Sequence, residues 1–189
     1  PKDTIYENGI FFFNFDFPSD YPFSPPKLTY LTNNGKTRFN PNLYRNGKVC
    51  ISILNTWRGE QWTSCQTIRS VLLTLTTLFH NKPLLNEPGI KETHRDFNNY
   101  NTIIQYRNFE TAILRVALQK LLPPQFTEAF CIIKTHLLEN KQRIIDNLAN
   151  LKEKEAESRV IWCSTYNMRC NIDYSKLYED MQVALAQLN

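Results

Sequence analysis

Cys50 follows a turn-rich segment, with Gly47 and Lys48 just before it and a side-chain amide upstream in Asn40-Pro41-Asn42. A thiolate is a competent acyl acceptor, and a neutral amide N–H can donate to a developing oxyanion without competing as a nucleophile. Cys50 is therefore the candidate acceptor and Asn42 the candidate oxyanion donor. An Asn after Pro41 also suits a turn in which it bonds backbone, and the two uses are compatible. The other cysteines, Cys65, Cys131, Cys163 and Cys170, form no Cys-x-x-Cys pair. That spacing argues against a disulfide scaffold and a structural zinc site, so they are assigned to packing or surface. Hydrolase chemistry at Cys50 would need a base, but His80, His94 and His136 lack any signature context.

The elements that must position these groups follow from pattern. Gly9 to Phe17 alternates as a strand, with Phe11, Phe13, Phe15 and Phe17 expected on the core face and Ile10, Phe12, Asn14 and Asp16 on the other. The proline-rich Pro18 to Pro26 cannot continue a sheet and should form a rigid surface loop carrying Tyr21 and Phe23. Lys27 to Thr32 reads as a second strand, which gives an antiparallel meander. Thr63 and Gln66 match a capping box, and Ile68, Val71, Leu72, Leu75, Leu78 and Phe79 recur at helical spacing. This central helix should pack on the sheet.

Helical patterns resume from Asn98 to Leu121 and from Gln125 to Leu151, separated by Pro123-Pro124. The last segment, Val160 to Asn189, contains Trp162 and an expected short helix over Asp173 to Leu188, and its function is not legible. The expected class is α+β, with a core over residues 1–122 and a helical C-terminal extension over 123–189.

The chain has 189 residues, 42% of them apolar, with 12 Phe and 9 Tyr, enough for a folded core. A net charge of +4 without a basic stripe speaks against nucleic-acid binding. No apolar run is long enough for a membrane span, and Pro1-Lys2-Asp3-Thr4 has no signal-peptide profile. Free thiols in the reducing cytoplasm or nucleus are expected. No metal or organic cofactor is implied.

Taken together, Ser19-Asp20-Tyr21-Pro22-Phe23-Ser24-Pro25-Pro26, Asn40-Pro41-Asn42, Gly47-Lys48-Val49-Cys50-Ile51-Ser52-Ile53-Leu54 and Trp62 resemble the catalytic core of ubiquitin-conjugating enzymes. Leu54-Asn55-Thr56-Trp57 and Asn86-Glu87-Pro88-Gly89 are similar to the large hybrid members, among them the giant inhibitor-of-apoptosis fusion. The resemblance implies a ubiquitin thioester on Cys50, received from the ubiquitin-activating enzyme and passed to a lysine of a protein substrate. It further implies an acidic gate at Glu87 beside Asn86, and a ligase-docking surface at Tyr21, Phe23, Ser64 and Cys65. Ser64 and Cys65 depart from the family's usual Pro and Ala. Asn40 replaces the family's usual His, as in the large branch. The family's N-terminal helix and first strand, which bind the activating enzyme, have no counterpart before Pro1. A non-catalytic variant that binds ubiquitin or a partner is the alternative reading.

Overall fold

The computed structural model describes residues 1–188. Strands β1 (Phe13–Asp16) and β2 (Lys27–Tyr30) pair antiparallel, with Phe13 opposite Tyr30 and Asp16 opposite Lys27. The meander is continued by single bridges, Thr29 with Lys48 and Leu43 with Val49, and no longer strand forms there. Gly47 makes the approach possible. It has φ +88°, and a Cβ there would stand 3.0 Å from both Thr29 Cγ2 and Tyr30 O.

The expected one-sided aromatic strand is not observed, and Phe12 is the one residue of 9–17 that is buried. Phe12, placed on the outer face, is only 5% exposed, whereas Phe17, placed on the core face, is 48% exposed. For Phe12 the cause is the C-terminal extension: the ring of Phe126 lies 4.7 Å from that of Phe12 and shields it from water.

Helix α1 (Ile68–Leu78) begins after Thr67, not after Thr63. Thr67 N–H donates to Ser70 Oγ at 3.4 Å, while Gln66 N–H closes an isolated turn onto Thr63 O at 3.0 Å. Val71, Leu75 and Leu78 form the buried stripe; Ile68 and Leu72 are exposed.

The next helical run is continuous but not uniform. Helix α2 (Phe97–Arg107) passes into a π-helical stretch, Asn108–Leu114, and then a short α3 (Arg115–Ala117). In the widened part Phe109, Ala112, Ile113 and Leu114 are all buried, and Ala112 O accepts the Ile10 N–H at 3.0 Å.

Residues 125–151 do not form one helix. A 3-10 turn, Pro124–Phe126, leads to α4 (Phe130–Glu139), and a break at Asn140 leads to α5 (Lys141–Lys154). Asn140 Nδ2 bonds His136 O at 2.8 Å, so its side chain serves the end of α4. Helix α6 (Tyr174–Ala186) packs on α5 and is capped by Asp173, whose Oδ1 accepts the Lys176 N–H at 2.9 Å.

Between α5 and α6 the extension adds an antiparallel hairpin, β3 (Arg159–Cys163) and β4 (Met168–Ile172), closed by Ser164-Thr165-Tyr166-Asn167. The hairpin docks on α2. The Asp96 carboxylate, 5% exposed, accepts Ser164 Oγ at 2.7 Å, Thr165 N–H at 2.8 Å and Thr165 Oγ1 at 2.6 Å. Burial alone would raise this carboxyl, but these bonds outweigh it and hold its pKa at about 2, below an ordinary 3.8. The folded pKa is the lower one, so the stabilisation is complete above the unfolded value and disappears as pH falls through 3.8 toward 2. Asp96→Asn should therefore cost about 2 kcal/mol at neutral pH. Urea denaturation should show the gap between variant and parent closing in strongly acidic buffer.

Candidate active site

Two segments meet at Cys50. The chain turns at Asn40-Pro41-Asn42, with Leu43 N–H on Asn40 O at 2.9 Å, and returns through the Tyr44–Gly47 turn. Cys50 N–H then donates to Asn42 O at 2.9 Å, while Asn42 Nδ2 donates to Cys50 O at 2.6 Å. Asn42 and Cys50 are thus locked by a reciprocal pair. After Cys50, a 3-10 turn over Ser52–Leu54 ends in a left-handed Asn55 at φ 58°. Asn55 Oδ1 accepts the Trp62 N–H at 2.8 Å.

The hub beneath this loop is Asn40, which has no exposed surface. Its Oδ1 accepts the Asn42 N–H at 3.0 Å and Asn86 Nδ2 at 3.3 Å, and its Nδ2 donates to Leu78 O at 2.8 Å. One side-chain amide therefore fastens the cysteine turn, the Asn86-Glu87 loop and the end of α1. Asn86 Nδ2 also reaches Leu78 O at 3.2 Å, and Asn86 Oδ1 faces His80 Nε2 at 3.0 Å.

Sequence reasoning read Asn40 only as a replaced histidine. Its burial beside a helix end is a tertiary property with no local signal.

Arg38 is a second support that pattern did not reveal. Its Nη2 donates to Pro41 O at 2.6 Å and its Nε to Asn40 O at 3.3 Å, with the guanidinium 3.3 Å from the Tyr44 ring centroid. Phe39 is fully buried, and its carbonyl accepts the Tyr6 hydroxyl at 2.6 Å, so it belongs to the core.

Glu87 follows the 3-10 turn Pro83–Asn86, and its carboxylate accepts the hydroxyl of Tyr166 from the β3–β4 turn. The sequence signal for that hairpin was available. Val160 to Cys163 is a short apolar run and Met168 to Ile172 alternates apolar with polar residues, around turn-forming Ser164 to Asn167.

Cys50 is 3% exposed, whereas Cys65 and Cys131 are exposed. Among the described residues no histidine is hydrogen-bonded to Cys50. His80 uses Nε2 on Asn86 and accepts the Lys82 N–H at Nδ1, 3.2 Å away. The hydrolase alternative therefore has no base in place.

The predicted partner-binding residues gather around Trp62. This side chain is buried at 7% exposure, donates Nε1–H to Pro22 O at 2.7 Å, and lies 6.0 Å from the half-buried Tyr21 ring. Phe23, 79% exposed, projects from the same loop, and Ser64 and Cys65 are exposed in the turn that follows Trp62. An apolar ring held out by a rigid loop matches the anatomy of a docking anchor.

Comparison with known proteins points to one family. The family described as ubiquitin-conjugating enzyme matches residues 1–108. Ubiquitin-conjugating enzyme E2 Z of Danio rerio is 43% identical over 128 residues, covering 66% of this chain and 39% of the relative. Probable ubiquitin-conjugating enzyme protein 17 of Caenorhabditis elegans is 38% identical over 163 residues, covering 79% of this chain and 22% of the relative. The dual E2 ubiquitin-conjugating enzyme/E3 ubiquitin-protein ligase BIRC6 of Homo sapiens is 46% identical over 99 residues, covering 49% of this chain and 2% of the relative. The chain thus spans well under half the length of these relatives.

Asn40→Ala strips the acceptor from the Asn42 N–H and one donor from Leu78 O, and should lower the unfolding free energy by about 2 kcal/mol. Chemical denaturation measures it directly.

Proposed function

Because the chain belongs to the ubiquitin-conjugating enzyme family, we propose that it accepts ubiquitin as a thioester on Cys50 and transfers it to a lysine of a protein substrate. The observation that carries this reading is the hydrogen-bonded unit in which Asn40 joins the Asn42–Cys50 pair to the Asn86-Glu87 loop.

In the loading step the Cys50 thiolate attacks the carbonyl of ubiquitin held as a thioester on the activating enzyme. A new C–S bond forms, and the old one breaks with its electron pair leaving on the activating enzyme's sulfur. In the transfer step a lysine ammonium first gives up a proton to solvent base, and its amine attacks the Cys50 thioester. The tetrahedral intermediate collapses with loss of the Cys50 thiolate, and the second nitrogen proton leaves as the amide forms.

Asn42 Nδ2 has one hydrogen on Cys50 O and a second available for the oxyanion. Its buried Oδ1 has no hydrogen-bond partner among the described residues, which suits a group held for something other than the fold's own bonding. Glu87 would orient the incoming amine. The exposed Phe23, with Ser64 and Cys65 beside Trp62, would form the docking surface for a ligase.

One observation favours the non-catalytic alternative, a ubiquitin- or partner-binding domain: the 3% exposure of Cys50. Incubation of the full-length protein with activating enzyme, ATP and ubiquitin decides between them. A reductant-sensitive adduct is expected, absent in Cys50→Ala and reductant-resistant in Cys50→Ser. Asn42→Ala should slow transfer to lysine by about a hundredfold. The absence of any adduct on the parent protein would leave the binding reading standing.

A further inference from the structure

We infer that Tyr166, in the turn of the C-terminal hairpin, is a positioning residue for the lysine acceptor and acts through Glu87. The inference rests on the reading of Glu87 as the group that orients the amine.

Tyr166 touches both sides of the cysteine loop at once. Its hydroxyl donates to Glu87 Oε2, and its main-chain carbonyl accepts Arg45 Nη2 from the Tyr44–Gly47 turn that leads into Cys50. Its ring packs 5.6 Å from that of Tyr100 and lies 5.1 Å from the Arg38 guanidinium, which in turn holds Asn40 O and Pro41 O. The neighbours Ser164 and Thr165 pin the turn to buried Asp96. The phenol therefore arrives at Glu87 from a rigid base. Burial, reinforced by Glu87 itself, pushes its pKa up, so it stays protonated and donates at neutral pH.

A glutamate in a loop samples several rotamers, and ordering it has an entropic cost at each encounter with substrate. Among the described residues the Tyr166 hydroxyl is the one side-chain partner of the Glu87 carboxylate. A charge-assisted bond to Oε2 fixes the carboxylate plane and leaves Oε1 for an approaching amine. The competing explanation is that this bond only fastens the hairpin to the core. The hairpin is already fastened by Asp96, by Asn99 Nδ2 on Trp162 O at 3.0 Å, and by Arg38 N–H on Met168 Sδ at 3.2 Å. The Tyr166 hydroxyl is superfluous for that purpose.

The test uses the full-length protein, loaded with ubiquitin and freed of ATP, in single-turnover discharge onto free lysine. Tyr166→Phe removes only the hydroxyl and keeps the carbonyl contact to Arg45. It should lower the maximal discharge rate about tenfold, with the half-saturating lysine concentration and the loading rate unchanged. Glu87→Gln should show a similar loss, and the double variant should be no slower than Glu87→Gln alone. The inference is overturned if Tyr166→Phe discharges like the parent, if the two losses multiply, or if loading falls in parallel with discharge. If the parent forms no thioester, or Glu87→Gln discharges normally, the underlying reading of the site fails and the role of Tyr166 fails with it. A loss in Glu87→Gln without one in Tyr166→Phe overturns the Tyr166 role alone.

Discussion

The architecture around the cysteine depends on one buried amide. Asn40 offers a single oxygen to two donors from different segments and sends its own N–H into the C-terminal end of α1. In a water-excluded position each of these bonds is costly to leave unmade, so the three segments are held to one arrangement. An uncharged side chain does this without introducing a titration near neutral pH, which an imidazole in its place would bring.

Much of this was legible in the sequence where local chemistry decides the outcome. The Pro41 turn, the proline loop with its exposed Phe23, the Val71-Leu75-Leu78 part of the α1 stripe and the start of α6 at Asp173 all follow from backbone rules that act over a few residues. What local rules left hidden is what arrives from elsewhere in the chain. Alternation puts Phe12 outside, and it is inside because Phe126 packs against it. Thr63 and Gln66 have the right spacing for a cap, yet Thr67 wins because the chain is still turning around Trp62. Glu87 could be placed on a loop, but its partner lies 79 positions further on, in a hairpin whose signal was short and easily passed over.

The extension is thus woven into the core instead of trailing from it. Phe126 packs on Phe12 just before β1, the hairpin sits on α2, and Tyr166 reaches Glu87 on the loop that Asn40 fastens. Such contacts suggest that core and extension unfold together as one cooperative unit, as expected when apolar surface is shared across a boundary.

The π-helical stretch at Asn108–Leu114 has a consequence for how this chain tolerates changes in length. A π turn holds an additional residue relative to an α turn, so removing one there would return the stretch to α geometry with the downstream helix nearly in phase, whereas removing one from the regular turns of α2 would rotate everything downstream by about 100° around the helix axis. Because the stretch sits between core and extension, that rotation would swing the whole C-terminal half away from the Asn40 loop. It would also move Ala112 O, to which the entry of β1 is tied through Ile10. The widened turn is therefore the place in this helical run where a one-residue deletion is best absorbed, and α2 the place where it is most disruptive.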